Sequence, residues 1–235
     1  MFMRFDDGCG RMVLKVKAKD LQKYYNLART PADIPPSFDV SPGQTIPIVI
    51  DPEDGERGLE MAKWGLIPLW SKDPKIGYRL FNARDDSVFK SSVWRPIYKK
   101  RALIPTTGFF EWTKPEKGSK EPKRKYFFRP KQQDLFSFAG IWETWKDVEG
   151  KEWKTCTIIT TEANKEMRPI HNRMPVILHQ EDEASWTDPS RATRDDIEPL
   201  LRPYEDNGLE VREVSNDHKA FEYNDERRIA ELNSQ

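Results

Sequence analysis

Apolar and polar residues alternate over short segments through most of the chain, a spacing of two that is typical of β-strands. Nine segments fit this pattern: residues 45–50, 59–64, 101–105, 109–112, 126–128, 135–145, 154–161, 175–178 and 209–214. A helical spacing of apolar residues occurs in only four segments, which are residues 19–28, 91–100, 194–201 and 224–232. In the last of these, Asn224 is placed as an N-cap, with Asp225 and Glu226 in the first turn.

The order of these elements predicts the fold class. Strands outnumber helices about two to one, and turns rather than regular helices separate them, so a doubly wound parallel sheet is excluded. We expect an α+β fold built on a curled, barrel-like and mostly antiparallel sheet with a few flanking helices. No repeat or Gly/Ser linker divides the sequence, so residues 9–235 are predicted to form one domain, with residues 114–125 as a long hairpin loop.

Composition narrows the class of protein. The 235 residues carry 39 Lys+Arg and 39 Asp+Glu, and the 11% aromatic content argues against disorder. No apolar run reaches the roughly 18 residues that span a bilayer, and residues 1–8 lack the apolar stretch of a secretory signal. These features predict a cytoplasmic protein that makes no membrane contact, nucleoid-associated if the source is bacterial.

The charges are unevenly distributed along the chain. Eight basic residues fall between residues 113 and 131 (Lys114, Lys117, Lys120, Lys123, Arg124, Lys125, Arg129 and Lys131), whereas residues 181–206 hold nine acidic residues and three arginines. Opposed charges on different surfaces allow a cationic groove on a neutral protein. A solvated basic loop explains the same run of residues.

Only two cysteines are present, Cys9 and Cys156, together with three histidines. This set cannot build a disulfide framework or a four-ligand zinc site, so we expect neither a metal site nor a cofactor. Cys156 lies in an apolar strand and is predicted to be a core residue. Cys9 lies between Gly8 and Gly10, where a structural and a chemical role are both open.

Three further segments interrupt the apolar pattern with residue types that catalyse. Residues 81–84 (FNAR) place Asn82 and Arg84 on one side of an extended strand, and residues 108–112 (GFFEW) set Glu111 among aromatic rings. Residues 169–175 (PIHNRMP) put His171 beside Arg173 between two prolines. Each has a structural alternative: a strand end, an edge-strand carboxylate and a surface loop histidine, respectively.

Taken together and in order, these segments resemble a known family. The series comprises Cys9-Gly10-Arg11, Ser41-Pro42-Gly43, Trp64-Gly65 with Pro68 and Trp70, Asn82-Ala83-Arg84, Gly108-Phe109-Phe110-Glu111-Trp112 and Ile170-His171-Asn172-Arg173-Met174-Pro175. From Cys9 to about Ser215 it resembles the SOS-response-associated peptidase family, proteins that process abasic sites and crosslink to damaged single-stranded DNA. The resemblance implies the same activity here, with single-stranded DNA as the partner and with peptidase and AP-lyase activities. We also expect the protein to be a monomer.

The resemblance further implies roles for individual residues. Cys9 is the N-terminal nucleophile whose α-amine and thiol capture the sugar aldehyde, Asn82 holds the amine, Glu111 shuttles protons and His171 assists imine formation. The implied DNA contacts are phosphate binding by Arg11, Arg84 and Arg173, stacking or wedging by Pro42, Trp70 and Trp112, and a further contact from Thr160. An α-amine has a pKa of about 7.7–8.0, against about 10.4 for lysine, so more of it is neutral and nucleophilic.

The sequence departs from the family pattern at its start. Family members usually encode the cysteine directly after the initiator methionine, whereas eight residues precede Cys9 here. Residues 1–8 are therefore expected to be a leader that is cleaved at the Gly8–Cys9 bond, a misassigned start or a cloning remnant. Asp86 stands where a glutamate is more common, and the tail after Ser215 lacks the usual Val-Asn pair.

Three hypotheses follow. The first is a DNA-repair protein that covalently shields abasic sites in single-stranded DNA. The second is a self-processing cysteine or N-terminal-nucleophile peptidase with another substrate. The third is a non-catalytic module that binds single-stranded nucleic acid.

Overall fold

The computed structural model describes residues 9–29, 32–53, 55–116, 118–217 and 224–232. The expected leader, residues 1–8, and Lys117 of the basic run lie outside the described residues. The strands are β1 (Met12–Leu14), β2 (Ser37–Val40), β3 (Thr45–Ile50), β4 (Gly58–Trp64), β5 (Asn82–Arg84), β6 (Arg101–Thr106), β7 (Gly108–Trp112), β8 (Lys125–Pro130), β9 (Phe136–Lys146), β10 (Glu152–Glu162), β11 (Arg173–Pro175), β12 (Ile177–Leu178) and β13 (Leu209–Val214). The α-helices are α1 (Ala18–Tyr25), α2 (Asp85–Val88), α3 (Gln180–Thr187) and α4 (Arg194–Ile197), and 3₁₀ turns cover Pro74–Arg79, Glu198–Leu200 and Glu226–Arg228.

Five strands close into a barrel in the order β10-β4-β3-β6-β9, with β9 pairing back onto β10. The β10–β4 pair is parallel and the other four pairs are antiparallel. The three short strands β5, β11 and β12 extend this sheet: β5 runs parallel to β10, β11 antiparallel to β10 and β12 antiparallel to β9. The expected barrel-like, mostly antiparallel α+β fold is confirmed.

A second, open sheet packs against the barrel, with the order β13-β8-β7-β1-β2. The chain passes from barrel to open sheet through a single residue between β6 and β7, where the Thr107 amide donates to the carbonyl of Val13. Gly108 begins β7 with its Cα so close to Phe127 that a Cβ would lie 2.2 Å from the ring. A side chain at this position would therefore displace the buried Phe127 ring.

Alternation along β7 assigns its residues to the two faces of the open sheet. Phe109 points to the barrel and packs against Phe128 and Phe138, with ring centroids 5.2 and 5.5 Å away. Phe110 points to the other face and joins a smaller cluster with Val13 and Phe127. Residues two apart share a face of a strand, so Glu111 lies on the barrel side with Phe109.

The alternation of apolar and polar residues located most of the strands correctly. The predicted segments 45–50 and 209–214 match β3 and β13. The other predicted strands are found with ends shifted by at most two residues, and residues 175–178 are divided between β11 and β12. Alternation missed β1, β2 and the pairing of β5, which are only three or four residues long. Cys156 is buried in the barrel strand β10, as predicted.

Two of the four predicted helices are wrong. Residues 91–100 form irregular turns because Pro96 has no N–H to donate to the preceding turn. Residues 224–232 contain only the 3₁₀ turn Glu226–Arg228, which Asp225 caps. Asn224 does not cap it; its side chain accepts from the Phe38 amide and donates to the Pro36 carbonyl, so this segment is fastened to β2.

No helix among the described residues is long and apolar enough to cross a membrane.

Candidate active site around Cys9

The segment from Cys9 to Arg11 runs between β7 on one side and β5 on the other. The Phe110 amide donates to the Arg11 carbonyl at 2.9 Å, which continues the antiparallel pairing of β1 with β7. From the opposite side, the Asn82 side-chain nitrogen donates to the Cys9 carbonyl at 3.0 Å. The fold therefore brings Cys9, Asn82 and Glu111, which are far apart in sequence, to one place.

Cys9 is fully buried at this junction. Burial raises the pKa of its thiol, and the nearby negative charge of Glu111 raises this pKa further. The thiol donates to the Arg11 carbonyl at 3.6 Å. Cys9 is thus held as a neutral thiol. Its sulfur is a weak nucleophile in this state, because the thiolate is the reactive form.

Asn82 is buried, and its two amide atoms have different surroundings. Its nitrogen is used by the Cys9 carbonyl, but its Oδ1, among the described residues, has no hydrogen-bond partner. A buried acceptor without a donor costs about 1–3 kcal/mol. Asn82 therefore offers an unfilled acceptor beside Cys9.

Glu111 is buried at the end of β7, on the same face as Phe109. Its Oε1 lies 3.3 Å from the amide nitrogen of Trp112. The charge of Glu111 raises the pKa of the Cys9 thiol, so the carboxylate lies within electrostatic reach of Cys9.

His171 and Arg173 form a second buried group, at and just before β11, the strand that pairs with β10. The Arg173 amide donates to His171 Nδ1 at 3.0 Å, and the same ring nitrogen lies 3.1 Å from the Arg173 carbonyl oxygen. The Arg173 guanidinium donates to Asp85 Oδ1 at 2.7 Å and to the Thr160 carbonyl at 2.6 Å. Since β5 and β11 both pair with β10, and Asp85 directly follows β5, the contact between Arg173 and Asp85 joins this group to the end of β5.

Two of the sequence-predicted DNA contacts lie in this buried group. Thr160 is fully buried, and its hydroxyl is 3.4 Å from the Arg173 Nη2. Arg173 has only 6% of its side chain exposed. In this conformation both residues contact the protein, and their direct DNA contacts stay predictions.

Arg11 and Arg84 present more of their guanidinium groups to solvent, each beside a carboxylate. Arg11 donates to Asp39 at 2.8 Å, and Asp39 also pairs with the buried Arg228 at 2.5 Å. Arg84 donates twice to Asp86 and thereby lowers the pKa of that carboxyl. Phosphate binding by Arg11 and Arg84 therefore has to compete with these local carboxylates.

The predicted stacking residues differ in exposure. Trp70 has 63% of its surface exposed, whereas Pro42 and Trp112 are half-buried. The Trp112 ring nitrogen donates to Asn216 Oδ1 at 2.9 Å, and the Asn216 amide donates to the Lys123 carbonyl. Trp112 is thereby linked to the base of the basic hairpin loop.

The basic run between residues 113 and 131 is not one surface. Lys125 begins β8 and is buried over the Phe110 ring, with its Nζ 3.9 Å from the ring centroid. Burial lowers the pKa of Lys125 to about 8. Arg129 pairs with Glu210 and Asp134, so exposed positive charge is concentrated on the loop that precedes β8.

Sequence reasoning missed the carboxylates that hold the arginines. Asp85 directly follows Arg84, so the alternation of charge in Arg84-Asp85-Asp86 was a usable signal. Asp39 and Arg228 are brought together only by the tertiary fold, and nothing local in the sequence marks them. Among the described residues, no group of His, Cys, Asp and Glu side chains is arranged to hold a metal ion.

The chain is similar in sequence to a known family and to proteins of several organisms. The family model described as "SOS response associated peptidase (SRAP)" matches residues 8–219. The abasic site processing protein YoqW of Bacillus subtilis is 39% identical over 210 residues, which cover 88% of this chain and 92% of that protein. The abasic site processing protein HMCES of Xenopus tropicalis is 30% identical over 198 residues, covering 72% of this chain and 59% of the relative.

A solved structure agrees with the fold. A crystal structure of a protein from Bacteroides thetaiotaomicron superposes with a TM-score of 0.85 at 28% identity, covering 95% of this chain and 100% of that one. The family match spans Cys9, Asn82 and Glu111, which the fold brings together, and also His171. The chain therefore belongs to the SOS response associated peptidase family.

Proposed function

We propose that this protein processes abasic sites in DNA by forming a covalent crosslink between Cys9 and the ring-opened sugar of a single strand. The relatives named for abasic-site processing support the substrate class. The residues around Cys9 support the chemistry. The protein is proposed to act as a monomer that shields the lesion during repair.

The observation that carries the proposal is the unfilled Oδ1 of Asn82 beside Cys9. A free α-amine on Cys9 would supply N–H donors next to this oxygen. The carbonyl of the same residue is already held by the Asn82 nitrogen, so the amide side chain could position both ends of Cys9. An internal Cys9 has a single amide N–H and offers no nucleophilic amine.

The proposal therefore includes cleavage of the Gly8–Cys9 bond. The Cys9 thiol attacks the Gly8 carbonyl, the acyl group moves from nitrogen to sulfur and the nitrogen takes up a proton. Water then hydrolyses the thioester, which releases residues 1–8 as a carboxylate and restores the thiol. Glu111, whose charge already acts on the thiol, is assigned as the group that gives and takes these protons.

Crosslinking then follows in two bond-forming steps. The α-amine adds to the sugar aldehyde, and the carbinolamine loses water to give an imine. The Cys9 sulfur adds to the imine carbon while its proton passes to nitrogen, which closes a thiazolidine ring. The raised pKa of the thiol favours this order, with the amine reacting first. His171, which is buried beside Arg173, is assigned to the imine step.

The experiment begins with the intact mass of the purified full-length protein. A chain that starts at Cys9 supports cleavage. The protein is then incubated with a single-stranded oligonucleotide that carries one abasic site, and heat-stable adducts are separated on a denaturing gel. Cys9→Ala should give none, whereas Cys156→Ala, altered in the barrel core, should crosslink normally.

A second variant separates the amine from the thiol. Cys9→Ser in a version that begins Met–Cys9, whose methionine an aminopeptidase removes, keeps the α-amine and lacks the sulfur. It should form an imine that borohydride traps but no heat-stable adduct. A heat-stable adduct from Cys9→Ala or Cys9→Ser would contradict the thiazolidine.

A further inference from the structure

An exposed aromatic side chain that is not among the predicted DNA-contacting residues lies on the same surface as they do. Tyr78 has 52% of its surface exposed, and only Trp70 among the described aromatic residues exposes more. Its ring contacts Gly43, because a Cβ on that glycine would lie 3.0 Å from Tyr78 Cε1. Gly43 follows Pro42, one of the predicted DNA contacts, so Tyr78 adjoins the same surface.

The backbone below Tyr78 is held in place. Gly65 and Gly77 meet backbone to backbone, and a Cβ on Gly77 would lie 2.7 Å from the Gly65 carbonyl oxygen. The Leu66 amide donates to the Leu80 carbonyl at 3.0 Å. Gly77 and Leu80 are buried on either side of Tyr78, so the ring projects from a fixed turn instead of a loose loop.

A positive charge accompanies the ring. The Lys63 Nζ lies 5.4 Å from the Tyr78 ring centroid, within the range of a cation–π contact. Among the described residues Lys63 has no carboxylate partner, unlike Arg11 and Arg84. It is therefore available to a phosphate without breaking an ion pair.

A ring with an adjacent cation matches one repeating unit of a single strand, because the base can stack on the ring while its phosphate contacts the cation. The site also continues toward Cys9. Tyr78 is four residues before Asn82, and Phe81 between them packs near Gly10, whose Cβ position is 3.8 Å from the Phe81 ring. The strand that carries the lesion at Cys9 therefore has a short path to Tyr78.

We propose that Tyr78 and Lys63 form a stacking subsite for an undamaged nucleobase, with its phosphate, in the single strand that flanks the abasic site. This inference rests on the proposed function, since it needs single-stranded DNA as the ligand. It adds a base-binding position whose ring is supplied by the turn 74–79.

The chain contains a matched control. Trp153, near the turn between β9 and β10, has 39% of its surface exposed, and the Lys151 Nζ lies 4.4 Å from its ring centroid. This pair has the same chemistry as Tyr78 with Lys63, but none of the predicted DNA contacts lies on this turn. Trp153→Ala and Lys151→Gln therefore report what the loss of an exposed ring or cation does in general.

The test measures binding of the full-length chain to an undamaged single-stranded oligonucleotide of about 12 nucleotides by fluorescence anisotropy. Stacking of one base contributes about 1–3 kcal/mol, so Tyr78→Ala should weaken binding about tenfold. Tyr78→Phe keeps the ring and should bind like the unmodified protein. Lys63→Gln should weaken binding and make the log–log salt slope less negative by about 0.7. Trp153→Ala and Lys151→Gln should bind like the unmodified protein.

A second readout reports stacking directly. A fluorescent adenine analogue, moved along the nucleotides that flank an abasic site, should be quenched at one position by the unmodified protein and by Tyr78→Phe. The quenching should be lost in Tyr78→Ala. Melting temperatures of all variants check that the fold is retained.

The outcomes separate the two proposals. If Tyr78→Ala binds as tightly as Trp153→Ala and quenching persists, the subsite is wrong, while crosslinking by Tyr78→Ala would leave the proposed function standing. If the unmodified protein binds no single-stranded DNA and forms no adduct, both proposals fail.

Discussion

The buried carboxylate of Glu111 acts on the thiol of Cys9 across two paired segments, and its charge raises the pKa of that thiol. A neutral thiol and an adjacent carboxylate suit a reaction in which protons are exchanged repeatedly at one residue. In the proposed mechanism the same carboxylate serves leader removal and crosslinking, because both proposed reactions involve the nitrogen and sulfur of Cys9.

The first prediction concerns Glu111→Gln, which keeps the shape of the side chain and removes its titratable proton. General acid–base catalysis contributes about 10²–10⁴-fold, so leader removal and crosslinking should each slow by that order. Intact mass reports the first reaction and the time course of adduct formation by a version that begins Met–Cys9 reports the second. Glu143→Gln, at a buried glutamate paired with Lys100 in the barrel, is the control and should react normally. Unchanged rates in Glu111→Gln would contradict the role of the carboxylate, and His171 would be the next residue to test.

The second prediction concerns Asn82→Ala. This change removes the donor to the Cys9 carbonyl and the acceptor proposed for the amine. Crosslinking by a version that begins Met–Cys9 should therefore slow at least tenfold. Loss of the buried hydrogen bond should also lower the free energy of unfolding by about 1–3 kcal/mol. Ser137→Ala loses a buried hydrogen bond to Tyr25, far from Cys9 in sequence, and should reduce stability without slowing crosslinking. Equal crosslinking rates in the two variants would contradict a positioning role for Asn82.

The third prediction concerns Gly77→Ala. The new methyl group would lie 2.7 Å from the Gly65 carbonyl oxygen, a backbone atom that cannot rotate away. Urea unfolding should show a loss of about 1–3 kcal/mol, and binding of single-stranded DNA should weaken because Tyr78 shifts. Gly58→Ala is the control, since a Cβ there would meet its nearest atom at 3.8 Å. If the two alanine variants unfold at the same urea concentration, the backbones of Gly65 and Gly77 are less closely packed than described.

The fourth prediction concerns Glu183, which is buried on α3 and accepts from the Tyr24 hydroxyl. Burial raises the pKa of Glu183 from 4.5 to about 7, so the folded protein binds a proton that the unfolded chain has released. Stability should therefore fall as pH rises from about 4.5 to about 7 and then level off. Each unit of the pKa difference corresponds to about 1.4 kcal/mol. Urea unfolding at several pH values should show this dependence, and Glu183→Gln should remove it.

The strands were predictable because alternation and β-branched residues mark half-buried positions directly. The barrel strand β3, with the sequence TIPIVI, was placed to the residue. The helix α3 was missed because its sequence, QEDEASWT, has little apolar periodicity. It forms because Trp186 inserts against the barrel, where its ring nitrogen donates to the Ala102 carbonyl at 2.9 Å.

The sequence predicted which residues form the site, and their roles stay predictions, but it did not predict their surroundings. The order of the segments pointed to Cys9, Asn82, Glu111 and His171, and a family relationship preserves that order. The burial of Arg173 against Asp85 and the pairing of Arg11 with Asp39 depend on contacts across 88 and 28 residues of sequence. No local pattern encodes such separations, so only the folded structure defines them.

The central strand β10 also determines where the chain can change length. It fixes the register of β5 by pairing Ile158 with Asn82, and the register of β11 by pairing Glu162 with Arg173. One residue inserted between these two pairs would turn the following side chains to the opposite face and misalign Asn82 with Arg173. The turn 147–151 and the loop 113–124 carry no such constraint. We expect functional relatives to differ in length at those two places and to keep the spacing along β10 constant.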